Sequence, residues 1–176
     1  ATEFKGREKG GEYGELFFQT DWTVGQVLDA LRRAGVEDNT LVIFTSDNGP
    51  EVVEIKPGAY ERIPEYHHYS MGELRGAKRD AWEGGHRVPF IARWPGHIKP
   101  GGVSDALMCL TDFFATCMDA VGGKAPPEDS GSLMPAFKNP KARARGHVVH
   151  PSLPGGFATR SGAWRLVPAR GSGRLP

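Results

Sequence analysis

The chain has 176 residues, of which 39% are hydrophobic and 24% are charged, and 22 Lys and Arg nearly balance 21 Asp and Glu. This composition is typical of a soluble globular protein that can form one hydrophobic core and a small second lobe. No run approaches the roughly 20 consecutive apolar residues of a membrane-spanning helix, so we expect no membrane partner.

The first predicted element is a helix over residues 21–34. Apolar residues recur at helical spacing between Val24 and Leu31, and residues 1–14 are predicted to form a loop. Thr20 is the predicted N-cap, because its hydroxyl could accept a hydrogen bond from the first turn. Gly35 follows two arginines and is the predicted C-terminal stop.

A continuous apolar run, Leu41–Phe44, follows this helix and predicts a strand buried on both faces, as in a parallel sheet. The next residues, Thr45–Pro50, read Thr-Ser-Asp-Asn-Gly-Pro. Ligands of open α/β sheets bind at the carboxyl ends of the strands, where this strand delivers the oxygen groups of Asp47 and Asn48. Such hard ligands suit calcium or magnesium better than zinc, although Asp-Asn-Gly is also ordinary turn chemistry.

Residues 51–71 show little periodicity and are predicted to form a long loop, of a length that is usually functional or disordered. The segment Tyr66–Tyr69 lies near its end and contains His68. Two interpretations stay open for this segment. It is either a solvated part of the loop or a wall of a substrate pocket, because aromatic and imidazole groups fit sugars and aryl rings.

A second helix is predicted over residues 112–121, with Thr111 as its N-cap and Gly122 as its C-terminal stop. Cys109 and Cys117 lie in or beside its apolar pattern. We interpret both cysteines as buried small hydrophobic residues rather than as a disulfide, because two such cysteines do not form the pattern of a disulfide framework.

Short strands and turns make up the rest of the pattern. A strand is predicted over residues 88–94, another over 147–150, and a hairpin with strands at 157–160 and 163–167. The segment 122–131 is rich in Gly and Pro and is the best candidate for a linker. We therefore predict an α/β portion over residues 1–122, a linker and crossing segment over 123–146, and an antiparallel portion over 147–176.

The basic residues are concentrated at the C-terminal end, because no acidic residue follows Asp129. A basic end can bind a polyanion, either nucleic acid or a sulfated glycan, but we favour the interpretation of a truncated end whose acidic complement is missing. It lacks the interleaved aromatic residues of a single-strand binder, so we expect no nucleic acid partner. The basic residues concerned are Lys138, Lys141, Arg143, Arg145, Arg160, Arg165, Arg170 and Arg174.

Two further segments complete a recognisable pattern with Ser46–Gly49. Gly72–Lys78 reads Gly-Glu-Leu-Arg-Gly-Ala-Lys, and Trp82–Pro89 reads Trp-Glu-Gly-Gly-His-Arg-Val-Pro. In this order the segments resemble the sulfatase family, the arylsulfatase-like branch of the alkaline phosphatase superfamily. The resemblance implies part of an alkaline-phosphatase-like α/β sandwich domain, followed by a small antiparallel β portion.

The resemblance also implies roles for individual residues. Asp47 and Asn48 match a pair of calcium ligands, and the aspartate of that pair lies beside the nucleophile. Lys78 matches the lysine that contacts the sulfate oxygens. Arg75 could shape the pocket or hold the loop, and His68 could contact substrate. Asparagine rather than histidine after the aspartate points to calcium, since imidazole would favour zinc or manganese.

Glu83 and Arg87 belong to the same string of residues. We expect them to form an ion pair that brackets the Gly84–Gly85 bend. This role would be structural rather than catalytic.

The nucleophile of the family is missing from the chain. Sulfatases place it in a Cys-x-Pro-x-Arg or Ser-x-Pro-x-Arg motif, where the Cys or Ser becomes formylglycine, and neither motif occurs here. The resemblance therefore implies the C-terminal half of a sulfuric ester hydrolase, truncated at both ends. We expect such a fragment to be inactive alone and to self-associate through an unpaired sheet edge.

Two rival functions stay open at this stage. One is a phosphate or phosphonate ester hydrolase of the same superfamily. The other is a non-catalytic sulfatase-like protein that binds polyanions through its basic end. The substrate would be a sulfate ester, which could be an aryl sulfate or a sulfated carbohydrate. The compartment is open, although the resemblance suggests export.

Overall fold

The structure is a computed structural model and describes residues 4–6, 11–51, 67–124, 128–152 and 155–168. Apart from α1, the elements are short, and the motif segments lie mostly on the connections between them, with one helical turn at residues 83–86. The elements in chain order are α1 (Gly11–Arg33), a 3₁₀ turn (Glu37–Asn39), β1 (Val42–Thr45), α2 (Glu83–His86), β2 (Phe90–Arg93), α3 (Asp112–Ala120), α4 (Met134–Lys138), β3 (Val148–Pro151), β4 (Phe157–Ser161) and β5 (Trp164–Leu166).

Helix α1 begins ten residues before the predicted start at Asp21, so the predicted N-cap at Thr20 and the part of the predicted loop over residues 11–14 are wrong. The Thr20 hydroxyl instead donates to the Leu16 carbonyl inside the helix. Tyr13 and Phe17 make an edge-to-face contact one turn apart, with ring centroids 4.8 Å apart, and such pairs stabilise a helix. Within the described ranges, no helix is both long and apolar enough to cross a membrane.

The predicted stop at Gly35 is confirmed. Gly35 has φ of +68°, a left-handed conformation that favours glycine. Its N–H donates to the Arg32 carbonyl, and the Val36 N–H donates to the Leu31 carbonyl. These two bonds are the Schellman pattern, which satisfies the last carbonyls of a helix.

Strands β1 and β2 form an antiparallel pair, with Val42 opposite Arg93 and Thr45 opposite Phe90. The prediction of a strand buried on both faces of a parallel sheet is therefore wrong. Phe44 lies opposite Ile91, and both side chains are exposed. An apolar run indicates that both faces of a strand can be buried, but it does not determine whether the neighbouring strand runs parallel or antiparallel.

Helix α3 is organised around Asp112, whose side chain is fully buried. Its carboxylate accepts hydrogen bonds from the backbone N–H groups of Cys109 and Gly131 and pairs with Arg145, whose Nη2 lies 2.6 Å from Oδ1. Thr111 occupies the predicted N-cap position, but its hydroxyl does not cap the helix and instead donates to the Asp129 carbonyl. These bonds tie the end of the proposed linker to the start of α3.

The C-terminal end of α3 has the predicted glycine stop. Gly122 has φ of +74°, and its N–H donates to the Asp119 carbonyl. Cys109 and Cys117 are both free, so the expectation of no disulfide is confirmed. The expected burial is wrong, because Cys117 is exposed and Cys109 is only half-buried.

Strands β3, β4 and β5 form an antiparallel sheet in that order, which confirms the predicted strand and hairpin. Directly opposed residues share a face of a sheet, and the faces alternate along each strand. We call the inner face of this small sheet the one that carries Val148, His150, Ala158, Arg160 and Arg165. Ala158 is fully buried there, whereas Trp164 on the outer face is 84% exposed.

Candidate functional site

The loop after β1 presents the first predicted site residues. Asp47 is exposed, and its Oδ1 accepts the backbone N–H of Asn48 at 3.0 Å. Asn48 is half-buried, and its Nδ2 donates to the Gly49 carbonyl at 3.0 Å. These bonds use one Asp47 oxygen and the amide nitrogen of Asn48. The second carboxylate oxygen and the amide oxygen are the groups of this loop suited to a hard cation.

Four glycines bring this loop against the later motif segments. We call Gly49, Gly76, Gly84 and Gly85 the glycine junction. The Gly49 N–H donates to the Gly85 carbonyl, and the Gly84 N–H donates to the Arg75 carbonyl, both at 2.8 Å. Backbone packs directly on backbone here, so side chains have no room.

The closeness of this packing can be expressed through the Cβ atom that each glycine lacks. A Cβ on Gly49 would lie 1.7 Å from the Gly84 carbonyl oxygen. One on Gly84 would lie 2.0 Å from the Gly76 carbonyl oxygen, and one on Gly85 would lie 2.5 Å from the Asp80 carbonyl oxygen. Real Cβ atoms do not approach backbone this closely, so the junction requires glycine at these three positions.

Lys78 lies on the segment that the junction brings next to the Asp47 loop. Its backbone N–H donates to the Pro50 carbonyl at 3.0 Å, and its side chain is half-buried. The neighbouring turn is closed by Asp80, whose buried carboxylate accepts the Ala77 N–H at 2.9 Å. The structure therefore places the backbones of Asp47, Asn48 and Lys78 on two adjoining loops.

Arg79 adds a second link between these two loops. Its guanidinium lies 2.6 Å from the Glu51 carboxylate, just beyond the Asp47 loop. Arg79 also has φ of +80°, which is unusual for a residue other than glycine. Such strained residues cluster at sites where the surrounding structure fixes the backbone.

The other two residues predicted to bind substrate, Arg75 and His68, lie in different parts of the structure. The Arg75 guanidinium carbon lies 4.0 Å from the ring centroid of Trp82, a cation–π contact that holds the motif loop. His68 is exposed, and its ring centroid lies 6.3 Å from that of Tyr13 on α1. Their contact with substrate stays a prediction. Tyr66, from the same predicted wall, lies outside the described residues.

The predicted ion pair between Glu83 and Arg87 is wrong. The Glu83 carboxylate binds Arg160 at 2.9 Å and also Arg165, both from the small sheet. Burial acts to raise the pKa of Glu83, but hydrogen bonds and the positive charge of the two arginines outweigh it, and the pKa is lowered. Arg87 instead contacts Glu83 through its backbone N–H, which donates to the Glu83 carbonyl at 2.7 Å.

A pair of histidines packs beside this ion-pair cluster. The rings of His86 and His150 stack with centroids 4.4 Å apart. Burial and the charge of Arg165 lower the pKa of His86. Burial, His86 and Arg165 lower the pKa of His150 to about 4. Both rings are therefore neutral at pH 7.

The sequence reasoning missed this contact between α2 and the small sheet. A signal for it exists in the hairpin. Arg160 and Arg165 lie directly opposite each other on β4 and β5, and like charges in that position are destabilising. Such a pair predicts an anion between the two side chains, and Glu83 is that anion.

The residues present fit part of a calcium site. Calcium takes about six to eight oxygen ligands, and Asp47 with Asn48 can supply two side-chain oxygens of the right kind. Among the described residues, no group of three or more His, Cys, Asp and Glu side chains could hold a metal ion. Asp47 and Asn48 would therefore be only part of the ligand set.

Comparison with known proteins now decides the family. The model of the Sulfatase family matches residues 3–123. The chain belongs to the sulfatase family. The segments Ser46–Gly49, Gly72–Lys78 and Trp82–Pro89, on which the resemblance rests, all lie within that match.

Relatives agree with this assignment. A steryl-sulfatase from Rattus norvegicus is 40% identical over 151 residues, which cover 84% of this chain and 24% of the relative. An N-acetylgalactosamine-6-O-sulfatase from Bacteroides thetaiotaomicron is 33% identical over 168 residues, which cover 93% of this chain and 32% of the relative. The chain thus spans about a quarter to a third of the length of these relatives.

Solved structures show the same fold. One is a Bacteroides thetaiotaomicron protein from a genetic locus for the metabolism of multiple glycosaminoglycans, with a TM-score of 0.81 and 34% identity over 93% of this chain and 34% of that one. Another is the PsFucS1 sulfatase from Pseudoalteromonas sp., with a TM-score of 0.70 and 30% identity over 87% and 30% of the two chains. The predicted α/β fold class with a small antiparallel portion is confirmed.

Proposed function

We propose that this chain is the part of a sulfuric ester hydrolase that supplies half of a calcium site and the lysine that binds the sulfate. Asp47 and Asn48 would be the calcium ligands, and Lys78 would contact the sulfate oxygens. The observation that carries the proposal is the glycine junction. It brings the Asp47 loop and the Lys78 segment together through backbone contacts that depend on glycine.

The chemistry of sulfate ester hydrolysis explains why these residue types would be needed. Negative charge on the outer sulfate oxygens must be stabilised in the transition state, and preorganised cations do this best where water is excluded. Lys78 would donate hydrogen bonds from a compact ammonium group to those oxygens. A bound calcium ion supplies Lewis acidity and orients the ester.

Asp47 and Asn48 have separate tasks in this proposal. The Asp47 carboxylate would contribute charge and Asn48 a neutral oxygen, and the hydrogen bonds inside the loop keep both groups preorganised. The nucleophile is expected to be a formylglycine supplied by sequence outside this chain. The isolated chain should therefore hydrolyse no sulfate ester, and aryl sulfate turnover above background by the purified chain with calcium would contradict this.

The basic end gives little support to a polyanion-binding function. Within the described part of the chain, Arg145 is paired with Asp112, and Arg160 and Arg165 are paired with Glu83. These arginines neutralise internal carboxylates, so they are poorly placed to bind a second polyanion. Weak retention on a heparin column is the expected result.

The substrate class proposed is a sulfate ester, with a sulfated carbohydrate as one candidate. Relatives with at least 33% identity include an N-acetylgalactosamine-6-O-sulfatase and a steryl-sulfatase, so the family match alone does not choose between sugar and sterol. A paired assay of an aryl sulfate and the matching aryl phosphate separates sulfatase from phosphatase activity. Faster turnover of the phosphate would favour the phosphate ester alternative.

The experiment that tests the calcium proposal uses the complete gene product that contains this chain. Asp47→Ala should raise the calcium concentration needed for half-maximal aryl sulfatase activity by at least about 10–100-fold. Loss of even an outer-shell partner of a metal site lowers metal affinity by that factor. Asp38→Ala removes an exposed aspartate elsewhere and is the matched control. An unchanged calcium requirement in Asp47→Ala would overturn the assignment.

A further inference from the structure

The inner face of the small sheet contacts the turn on which the glycine junction is built. We propose that Arg160 and Arg165 are positioning residues that hold the Asp47 and Lys78 loops in register through Glu83. The proposal rests on the function proposed above for those two loops. It assigns a part in the site to the small sheet, which comes late in the chain.

The first step of the argument is the geometry of the ion-pair cluster. Arg160 and Arg165 share the inner face of the sheet because they are directly opposed on β4 and β5. Arg160 binds Glu83 Oε2 at 2.9 Å, and Arg165 binds Glu83 Oε1, so each carboxylate oxygen has its own guanidinium. The three side chains are 10–27% exposed, and an ion pair at this depth fixes geometry better than a solvated surface pair.

The second step is that Arg165 holds two points of the motif segment. Its Nη1 donates to the Glu83 carboxylate, and its Nη2 donates to the Ala81 carbonyl. Ala81 and Glu83 flank Trp82, whose ring makes the cation–π contact with the Arg75 guanidinium. One planar guanidinium therefore holds the backbone before Trp82 and the side chain of the residue after it.

The third step connects the Arg165 guanidinium to the site. Glu83 is the first residue of α2, and the next two residues belong to the glycine junction. The Gly84 N–H bonds the Arg75 carbonyl, three residues before Lys78, and the Gly85 carbonyl accepts the Gly49 N–H beside Asn48. The junction has no side chains that could absorb a displacement, so a shift of Glu83 must reach both loops.

The test is amide hydrogen exchange on the complete gene product that contains this chain, measured residue by residue by NMR. The reporters are the Gly49 N–H, bonded to Gly85, and the Lys78 N–H, bonded to Pro50. In Arg165→Met both amides should exchange at least about tenfold faster, because local opening becomes easier while the rest of the fold is intact. The internal reference is the Ala115 N–H, which is bonded to Ser130 on a different part of the molecule and should not change.

Three further variants make the test specific. Arg143→Met removes an exposed arginine that makes no ion pair in the described part of the chain, and should leave the reporters unchanged. Arg165→Lys keeps the positive charge but loses the planar guanidinium with its two parallel donors. It should therefore restore only part of the protection of the reporter amides that Arg165→Met loses. The double variant Glu83→Gln with Arg165→Met should speed exchange of the reporter amides no more than the more harmful single change does. This is expected for residues that act as a unit.

Two results would overturn the proposal. One is unchanged exchange at Gly49 and Lys78 in Arg165→Met, which would mean that the loops keep their register without the sheet. The other is a matching increase at Ala115, which would mean that the arginine only stabilises the whole fold. Neither result depends on sulfatase activity, so failure of this proposal can be distinguished from failure of the proposed function.

Discussion

The glycine junction and the region around Asp112 hold loops in place by opposite means. At the junction, backbone bonds such as Gly49 to Gly85 are possible only because side chains are absent. Around Asp112, one buried carboxylate collects two backbone N–H groups and the Arg145 guanidinium. The first arrangement depends on shape and the second on charge.

This difference has a consequence for the site. Shape-dependent packing fixes the distance between two backbones and leaves the outward side chains free to act, which suits Asp47 and Lys78. The buried Asp112 carboxylate already binds three internal donors, so it is poorly placed to serve a ligand as well. We therefore assign Asp112 a structural role, whereas the exposed Asp47 stays the proposed calcium ligand.

The largest effect on stability is expected from Asp112→Ala. Removing one partner of a buried ion pair leaves an uncompensated charge, at a cost of about 3–5 kcal/mol. Urea unfolding followed by circular dichroism measures the change. Asp105→Ala, at an exposed position, is the control and should change the stability by no more than about 0.5 kcal/mol. Equal stabilities of the two variants would mean that the Asp112 network is dispensable.

A somewhat smaller loss is expected from Gly84→Ala. The added methyl group would meet the Gly76 carbonyl, and overpacking of this kind costs about 1–3 kcal/mol. Gly25→Ala is the matched control, because nothing lies within 4 Å of its missing Cβ and it sits inside α1. There alanine should stabilise the helix by about 0.5–1 kcal/mol. The same sign of change in both variants would contradict the shape-dependent account.

Acid should weaken the contact between the small sheet and α2. The pKa of His150 is lowered from 6.5 to about 4, and that of His86 is also lowered, so the unfolded chain binds more protons than the folded chain in this window. Stability should therefore fall as the pH falls from 6.5 to 4. Glu83 opposes the depression of both histidine pKa values, while the charges of Arg165 and, for His150, Arg160 reinforce it.

Urea midpoints measured between pH 7 and pH 4 test this prediction. His150→Gln should flatten the dependence, because the ring that must charge is gone. His147→Gln, at an exposed position one residue before β3, is the control and should keep the dependence of the parent chain. A steep dependence that survives in His150→Gln would assign the effect to other groups.

The smallest effect on stability, but a visible one on assembly, is expected from the exposed pair Phe44 and Ile91. These side chains lie opposite each other on a two-stranded sheet and can drive self-association. Phe44→Thr with Ile91→Thr should shift the chain toward monomer in light scattering at equal concentration. A strictly monomeric parent chain would remove the basis of this prediction.

Local signals in the sequence predicted the ends of elements well and their surroundings poorly. Gly35 and Gly122 end their helices as predicted, because a left-handed glycine stop needs only nearby residues. The start of α1 was missed, since the aromatic pair Tyr13 and Phe17 extends the helix beyond its aliphatic pattern. The antiparallel direction of β1 against β2 is a tertiary property that no local pattern in either strand describes.

The candidate site shows the same division. The identities of Asp47, Asn48 and Lys78 followed from the motifs, and their roles stay predictions. The partner of Glu83 was predicted wrongly, because Arg87 is near in sequence whereas Arg160 and Arg165 arrive only through tertiary packing. Close approach of glycine backbones is likewise invisible until the two loops are seen together.

The most direct test of the central claim is the aryl sulfatase activity of Lys78→Ala in the complete gene product that contains this chain. Lys124→Ala, which removes an exposed lysine just beyond α3, is measured beside it. The account predicts that kcat/KM of Lys78→Ala falls about 10²–10³-fold, as for the loss of one preorganised group that stabilises transition-state charge, and that Lys124→Ala matches the parent. Equal activity of both variants and the parent would contradict the claim that Lys78 binds the sulfate.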